Sequence, residues 1–332
     1  PGQTSQGIAL QLYRLDHKPL DQANDRSFNA AVAQYTPSKL VTAYVEGVLD
    51  WGEEPSSQEP LPAASTGPAV VPSTGIAFDN FHYTGYDDPA LAANGWGGRS
   101  GKGGPGIPDT WSTDGITFPA DDTAQGGQTL QLQLSSDGTK QGTHQSELVG
   151  TRNTFRTGTL AARVYFTDKP VDGPNGDHIN ETFAPISPSA ASANYSELDY
   201  EYMPNGGWGA PGPRLDTTSW RSSKQGDRAT SHQNNHLAGW HILMITAIDG
   251  TVTYSVDGQT VFTSNGKTFP REQMQIHFST WLVDLPFTGQ RTWSMRVNWV
   301  FQASGAMSVT DVQKAVDALY ASGIDHVNTV VG

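Results

Sequence analysis

The chain has 332 residues, and its 20 Lys and Arg against 33 Asp and Glu give a net charge of −13. This acidic balance argues against nucleic acid or an anionic membrane as partner, and no apolar run approaches the ~20 residues that span a bilayer. The chain has no cysteine, which excludes disulfides and thiolate-held metals. Many Gly, Trp and Tyr with few Lys are typical of a secreted, extracellular β protein, and the start at Pro1 leads us to expect an upstream leader.

The first part of the chain divides into two segments. Residues 1–54 hold the strand-like pieces GIALQLYRL and LVTAYVEGVLDW, which predict an N-terminal accessory β segment or strands that dock on the main body. Residues 55–75 are rich in Pro, Ser and Gly and predict a linker.

Residues 76–302 show β alternation throughout, as in TLQLQLSS, with Asp-Gly turns in IDGT and VDGQ that are typical of hairpins. Many strands without intervening helices predict an all-β, two-sheet antiparallel sandwich. In the extension 303–332, Val309, Val312, Val316 and Leu319 recur at helical spacing. We expect Ser308 or Thr310 to cap this C-terminal helix and Gly323 to end it.

The stretch SELDYEYMPNGGWG carries three acids at alternate positions, Glu197, Asp199 and Glu201, among aromatics. On a strand the three carboxylates share one face, where their repulsion weakens the sheet. A random E-x-D-x-E is most simply a solvated strand face. The apolar opposite face and the loop that follows, from Asn205 to Trp208, instead favour carbohydrate chemistry, in which rings stack on sugars and acids act on the glycosidic oxygen.

Several motifs in the same order resemble glycoside hydrolase family 16, the concanavalin A-like jelly-roll β-glycanases. SELDYEY matches the E-x-D-x-E signature of that family, and FRTGTLAARVYF is similar to its glycine- and arginine-bearing strand, with Gly158 and Arg163 in place. AFDNFHY resembles its opening strand and RVNWVFQ its closing strand. The resemblance covers roughly 225 residues and implies a jelly-roll catalytic domain.

The resemblance implies Glu197 as nucleophile, Glu201 as general acid/base and Asp199 as the acid that orients Glu197. Strand residues four apart have Cα atoms about 13 Å apart, whereas retaining hydrolysis needs carboxyl groups ~5–5.5 Å apart. Two long glutamates leaning inward over a short aspartate meet that requirement. Crowding also raises at least one pKa, which a proton donor near neutrality needs.

Further residues are candidates for substrate contact. Trp281 matches the groove tryptophan of the family, and His241 lies at its usual histidine. Each aromatic could instead pack in the core. Glu181 could instead lie at the edge of a loop. The candidate substrate-binding residues are Trp281, Trp208, Tyr195, Trp220, Asn205, Glu181 and His241.

One motif departs from the family. Where members often carry an Asp-Trp pair that holds a structural calcium, this chain has Asn298-Trp299. An amide oxygen can ligate calcium, but without the charge. We therefore name no metal ligand, and the resemblance implies no cofactor for catalysis.

The sequence thus predicts a monomeric, retaining endo-acting hydrolase of a β-linked polysaccharide, a β-glucan with β-1,3 or β-1,4 linkages or both. Two alternatives stay open at this point. A transglycosylase uses the same covalent intermediate, and a non-catalytic lectin uses the same sandwich, although a lectin has no reason to keep three repelling acids.

Overall fold

The computed structural model describes residues 43–45, 48–51 and 75–330. The chain divides into two compact units, Pro1–Gly67 and Pro68–Gly332. In the first unit, β1 (Ala43–Val45) and β2 (Val48–Trp51) form an antiparallel hairpin.

Most of the predicted accessory segment, residues 1–54, lies outside the described residues, as does the predicted linker up to residue 74. Of the helices in the described ranges, none has the length and apolar character that a membrane span requires.

The second unit is a two-sheet β-sandwich, and all strand pairings within its two sheets are antiparallel. Its strands in chain order are β3 (Ile76–Asp79), β4 (Trp96–Gly98), β5 (Ile116–Thr117), β6 (Leu130–Ser136), β7 (Ser146–Gly150), β8 (Gly158–Phe166), β9 (Ile179–Ile186), β10 (Glu197–Met203), β11 (Gly206–Gly207), β12 (Ala210–Pro211), β13 (Arg214–Ser222), β14 (Asp227–Gln233), β15 (Gly239–Ile248), β16 (Thr251–Val256), β17 (Gln259–Asn265), β18 (Gln275–Leu282), β19 (Arg291–Ala303) and β20 (His326–Asn328). Its helices are α1 (Pro89–Ala93) and α2 (Val309–Ala321).

The strands divide into a seven-stranded and a nine-stranded sheet. The seven-stranded sheet has the order β14-β13-β10-β9-β18-β7-β4. The nine-stranded sheet runs β17-β16-β15-β8-β19-β3-β20, with β6 also paired to β19 and β5 paired to β6. A separate hairpin, β11–β12, follows β10. This architecture confirms the predicted all-β sandwich.

Alternation of apolar and polar residues explains the layers. In β6, Leu130, Leu132 and Leu134 are fully buried, while the glutamines between them are partly exposed. Between the sheets, the rings of Phe183 and Phe278 stack with centroids 5.0 Å apart. Because period-two alternation places every second side chain in this core, the remaining side chains face outward.

The two Asp-Gly turns join β15, β16 and β17, as the sequence predicts. Asp249 and Asp257 have φ of 49° and 50°, and the glycines that follow them have φ of 77° and 81°. Two successive residues with positive φ match the backbone twist of a tight hairpin, which is why Asp-Gly is favoured there.

The predicted C-terminal helix is α2. The Ser308 hydroxyl accepts a hydrogen bond from the Asp311 amide at its start, and Gly323, with a φ of 66°, lies just past its end. The buried side chains of α2 pack with Phe78 and Trp299 of the nine-stranded sheet. Beyond α2 the chain adds β20, which pairs with β3, whereas the sequence predicts only a helical extension there.

Candidate active site

A cleft of about 1070 Å³ lies on the outer face of the seven-stranded sheet. Its lining runs from β14 across the sheet to Arg99, directly after β4, and includes Gly104, Pro105 and the β11–β12 hairpin. Six inter-strand spacings of ~4.8 Å give it a reach of about 29 Å. A cleft of this length suits an extended chain better than a small molecule.

The three acids of β10, which we call the acidic row, all line this cleft. Glu197, Asp199 and Glu201 alternate with Leu198 and with two tyrosines that are fully buried between the sheets. The structure therefore places the row on one face, as the alternation predicts. Their catalytic roles stay a prediction.

Register fixes the neighbours of the row. Glu197 lies opposite Trp220 on β13 and Ile186 on β9. Glu201 lies opposite Asp216 on β13 and Thr182 on β9. One end of the row therefore has an aromatic and an aliphatic neighbour, and the other end has a second acid.

Glu197 is held by hydrogen bonds from two neighbours. Burial raises its pKa, whereas hydrogen bonds from the Tyr195 hydroxyl and from Asp199, together with the charge of His277, oppose the rise. Hydrogen bonds to a carboxylate favour its ionised form. These donors make Glu197 the member of the row best prepared to carry a negative charge.

Asp199 is the most confined member of the row, at 3% exposed. Burial, followed by the charges of Glu197 and Glu201, raises its pKa well above the usual range. Its Oδ2 accepts a hydrogen bond of 2.6 Å from the indole nitrogen of Trp220. Burial and its neighbours therefore favour the protonated form of Asp199, which can donate a hydrogen bond to Glu197.

Glu201 is prepared as a proton donor. Burial and the charge of Glu197 raise its pKa to about 7, and a hydrogen bond from Asn180 moderates the rise. The Asn180 amide lies 2.9 Å from Glu201 Oε1 and fixes its orientation. A carboxyl group with a pKa near 7 can give and take a proton at neutral pH.

Two of the predicted aromatics contact the row directly. Tyr195 is 5% exposed and donates its hydroxyl to Glu197, while the indole of Trp220 donates to Asp199. The guanidinium of Arg228 lies 4.5 Å over the Trp220 ring. Trp220 therefore positions Asp199 and borders the cleft with its ring against Arg228, and its role as a sugar platform stays a prediction.

Trp281 and Trp208 form a pair at the cleft, with ring centroids 5.8 Å apart. Trp281 is 3% exposed, and its indole nitrogen donates to Thr182. Trp208, on the β11–β12 hairpin, is 61% exposed. Trp208 therefore presents an open ring to the cleft. Trp281 packs against that ring and also borders the cleft.

Three predicted substrate contacts lie away from the cleft lining. Glu181 shares the inward parity of Phe183 on β9, is fully buried and accepts two hydrogen bonds from Thr167. His241 lies on β15 in the other sheet, where its Nδ1 is 2.7 Å from Asp257. The prediction that these two side chains bind substrate is wrong, since neither faces the cleft.

Asn205 is the third of these residues. Its amide donates to the Asn175 side chain and to the Asp177 carbonyl, so it joins two loops. The sequence pattern placed Asn205 directly before the hairpin that carries Trp208, but the side chain holds that loop in place and does not line the cleft.

The structure brings to the cleft further residues that the sequence analysis did not select. Thr182 could have been found from the parity of β9, because it alternates with buried Phe183. Asn180 has the same parity and contacts Glu201 without lining the cleft. The charged residues come from strands far apart in the sequence, so no local pattern marks them. These residues are Arg99, Glu147, Arg214, Asp216, Arg228, His232 and His277.

Asn298 does not fit as a calcium ligand. Its Oδ1 accepts from Arg163 at 2.8 Å and from the Gln125 amide at 3.1 Å, and its Nδ2 donates to the Gln125 carbonyl. Both ends of the amide are thus engaged, and a guanidinium lies where a cation would have to approach. Among the described residues, no group of three or more His, Asp or Glu side chains is arranged to hold a metal ion.

Comparison with known proteins places the fold. No family model matches the chain. A segment of 63 residues is 38% identical to a β-mannanase/endoglucanase A of Caldicellulosiruptor saccharolyticus and covers 19% of this chain. The match spans only 5% of the length of that relative.

Solved structures match over most of the sandwich. The β-glucanase of Bacillus licheniformis superposes with a TM-score of 0.51 at 14% identity, covering 70% of this chain and 99% of that one. A glycoside hydrolase family 16 endo-glucanase from Bacteroides ovatus gives 0.52 at 13%, covering 67% and 98%. A lichenase from a mouse hindgut metagenome gives 0.50 at 16%, covering 69% and 99%. The predicted jelly-roll fold is confirmed.

Proposed function

We propose that this protein is a glycoside hydrolase of the family 16 type that cleaves a β-glucan internally with retention of configuration. The observation that carries the proposal is the acidic row on the cleft floor, whose members differ in the ease with which they hold a proton. The neighbours with this fold are named glucanases and a lichenase.

The proposed reaction is a double displacement. Glu201 donates its proton to the glycosidic oxygen while the Glu197 carboxylate attacks the anomeric carbon, so the C–O bond breaks and a glycosyl ester forms. Glu201, now ionised, then takes a proton from water. The resulting attack on the anomeric carbon releases the sugar and restores Glu197.

The unequal environments of the two glutamates support this assignment. Glu201, with a pKa raised to about 7, keeps its proton below neutrality. Glu197 accepts the Tyr195 hydroxyl, which favours the anion that must attack. When Glu197 becomes esterified, its negative charge disappears, so the proton on Glu201 is held less tightly and Glu201 becomes a better base.

Asp199 acts between the two glutamates. Its proton hydrogen-bonds the Glu197 carboxylate in the free protein, and Trp220 fixes the other oxygen. A neutral Asp199 also separates two groups that could not both be ionised at close range. The middle acid therefore keeps Glu197 oriented without adding a third negative charge.

The open length of the cleft supports internal cleavage. Its lining extends from Arg228 on β14 to Arg99 after β4, with Trp208 at the hairpin. Sugar units bound on both sides of the acidic row would be accommodated along the same floor. An enzyme that removes only terminal sugars needs a wall at one end of its cleft.

The test is release of reducing ends from a panel of β-1,3, β-1,4 and mixed-linkage glucans, with viscosity followed in parallel. We expect viscosity to fall early and product of retained anomeric configuration to form, with no activity in Glu197→Gln. Binding of a glucan without cleavage by the wild-type chain would replace the proposal with the lectin alternative. Products longer than the substrate would indicate the transglycosylase.

A further inference from the structure

Two of the hydrogen bonds that fix the acidic row come from side chains on separate segments. Tyr195 lies in the loop of residues 187–196 between β9 and β10, which we call the Tyr195 loop, and donates its hydroxyl to Glu197. Trp220 lies near the end of β13 and donates its indole N–H to Asp199. A group that holds these two segments together therefore also holds both hydrogen bonds in place.

Arg271 joins the two segments. It lies in the segment before β18, and its Nη2 donates to the Tyr195 carbonyl at 2.7 Å and to the Arg221 carbonyl at 2.6 Å. Arg221 directly follows Trp220 in the chain. One guanidinium nitrogen is thus hydrogen-bonded to the Tyr195 loop and to the end of β13.

Two further contacts tie Arg271 to the Tyr195 loop. Its Nη1 donates to the Ala193 carbonyl at 2.8 Å, and its backbone amide donates to the Ser196 hydroxyl at 2.9 Å. Because the guanidinium is planar and its N–H groups point in fixed directions, these bonds define the position of the loop relative to β13. Arg271 is half-buried, so its hydrogen bonds are partly removed from competition with water.

The choice of acceptors relates Arg271 to the acidic row. One acceptor is the carbonyl of Tyr195 itself, and another belongs to the residue next to Trp220. A shift of about 1 Å between the two segments is enough to lengthen the 2.6 Å bond from Trp220 to Asp199 beyond hydrogen-bond distance. Arg271 does not line the cleft, so any influence on the row passes through these neighbours.

We infer that Arg271 is a positioning residue that holds the Tyr195 loop against the end of β13 and thereby keeps the Tyr195 hydroxyl on Glu197 and the Trp220 indole on Asp199. Its effect on catalysis rests on the proposed function. Its effect on the two hydrogen bonds does not, because they belong to the folded chain alone.

The first experiment needs no activity. Indole ¹H–¹⁵N spectra give one signal for each of the nine tryptophans, with Trp220→Phe used to assign the Trp220 signal. In Arg271→Gln, the shorter side chain has two N–H donors and cannot serve all three carbonyls, so the Trp220 signal should move upfield as its hydrogen bond lengthens. The signal of Trp240, which lies on the nine-stranded sheet and donates to Thr123, should stay in place. An unchanged Trp220 signal would overturn the inference.

Two further variants support this reading of the spectra. Arg271→Lys keeps the charge but has a single nitrogen in place of the fork, so it should also move the Trp220 signal upfield, and it decides the question if Arg271→Gln does not fold. Arg152→Gln is the matched control, because the Arg152 guanidinium also donates to a backbone carbonyl, that of Ala93, but away from the cleft lining. An equal shift of the Trp220 signal in Arg152→Gln would contradict a specific role for Arg271.

The second experiment measures catalysis. Burial raises the pKa of Glu197, and the hydrogen bond from Tyr195 opposes that rise. In Arg271→Gln, the acid limb of the kcat/KM profile, which reports Glu197 in the free enzyme, should therefore move up by about one pH unit. That shift makes kcat/KM about tenfold lower on the acid side, with recovery towards higher pH. Burial also raises the pKa of Tyr195, so its hydroxyl remains a donor throughout the profile.

A double variant tests whether Arg271 acts through Tyr195. Tyr195→Phe removes the hydroxyl directly and should move the acid limb in the same direction, and adding Arg271→Gln to it should cause little further shift. Fully additive shifts would show that Arg271 acts by another route and would overturn the inference. The other charged neighbours of Glu197 stay in place in these variants; they are Asp199 on β10, His277 on β18 and Glu147 on β7.

A merely structural role for Arg271 predicts a different profile. The kcat/KM of Arg271→Gln would then fall by the same factor at every pH, and that outcome would overturn the inference. If the chain proves to have no glycosidase activity, the indole spectra still decide whether Arg271 holds the hydrogen bond from Trp220. Failure of the proposed function and failure of this inference are thus distinguishable.

Discussion

The acidic row of the seven-stranded sheet and the cluster around Asn298 in the nine-stranded sheet both consist of buried or half-buried polar side chains. In the Asn298 cluster, Arg163 and the backbone of Gln125 satisfy both ends of the amide. In the acidic row, three carboxyl groups share one face, and burial raises the pKa of all three.

This contrast separates polar groups that serve the fold from those that serve chemistry. A buried polar group with all its hydrogen bonds made stabilises one structure, whereas acids buried close to one another cost free energy. The row thus carries a cost that substrate or reaction is expected to offset. Replacing members of the two clusters should therefore have opposite consequences, with loss of activity in one and loss of stability in the other.

The largest expected effect is on activity in the row. Glu197→Ala removes the covalent step, so azide should attack a substrate with a good leaving group once and give a glycosyl azide of inverted configuration. Glu201→Ala keeps the nucleophile, loses about 10²–10⁴-fold in rate and should give the retained azide. NMR of the products distinguishes the anomers, and the same anomer from both variants would refute the assignment. Both variants should unfold no more easily than wild type, because each relieves crowding among the acids.

Trp281→Ala is expected to show the largest loss of stability. Trp281 is a predicted sugar platform, but its side chain is 3% exposed and its indole donates to Thr182. Truncating a buried tryptophan lowers the free energy of unfolding by about 3–5 kcal/mol. Urea denaturation measures this loss. Trp281→Phe, which keeps most of the ring, should lose far less. A fully stable Trp281→Ala would return this residue to the role of platform.

Asn298→Ala tests the cluster around Asn298, in which both ends of the side-chain amide are hydrogen-bonded. It leaves the Arg163 guanidinium and the Gln125 amide without their acceptor, at a cost of about 1–3 kcal/mol in the free energy of unfolding. Because the cluster lies outside the cleft, kcat on a soluble glucan should stay within twofold of wild type below the unfolding temperature. A loss of kcat without loss of stability would show that the two clusters are connected.

Glu181→Gln tests a buried acid that the cleft does not use. Burial raises the pKa of Glu181 to about 8, against a usual value of 4.5. The folded state therefore holds a proton that the unfolded state releases, so stability falls as pH rises from about 4.5 to 8. The slope is at most about 1.4 kcal/mol per pH unit.

The measurement is urea denaturation of wild type and Glu181→Gln at several pH values in that range. The difference between the two should grow with pH in favour of the variant and level off above pH 8. Asp199 and Glu201 contribute the same sign of dependence to both proteins, so the difference isolates Glu181. Parallel curves would show that Glu181 is ionised in the folded chain.

Local patterns were sufficient to predict the sandwich, the hairpins and α2. Strict alternation in β6 and the Asp-Gly turns depend only on neighbouring residues, and Ser308 caps α2 as its position predicts. Parity would also have shown that Glu181 faces inward, because Phe183 two residues later has to reach the core. Reading Glu181 by its charge instead of its parity produced the error.

Contacts between strands that are far apart in the chain could not be predicted from the sequence. Glu147 and His277 are 130 residues apart and meet only because β7 and β18 are neighbours in the sheet. The pairing of β20 with β3 likewise brings together the first and the last strand of the sandwich in chain order. The cover of Arg228 over Trp220 follows from the register of β13 with β14. In each case sheet order decides the contact, and a single strand carries no information about it.

The smallest expected effect concerns Trp208, where the contrast with Trp281 is most direct. Its ring is 61% exposed at the tip of the β11–β12 hairpin and lies 5.8 Å from that of Trp281. Because so little of it is buried, Trp208→Ala should change the free energy of unfolding by no more than about 0.5 kcal/mol. Loss of one open stacking surface should weaken binding of a glucan oligosaccharide by about 0.5–1.5 kcal/mol. Calorimetric titration in a Glu197→Gln background measures this without turnover, with Trp208→Phe as the control that keeps a ring. An unchanged Kd in Trp208→Ala would mean that substrate passes beneath the hairpin without touching it.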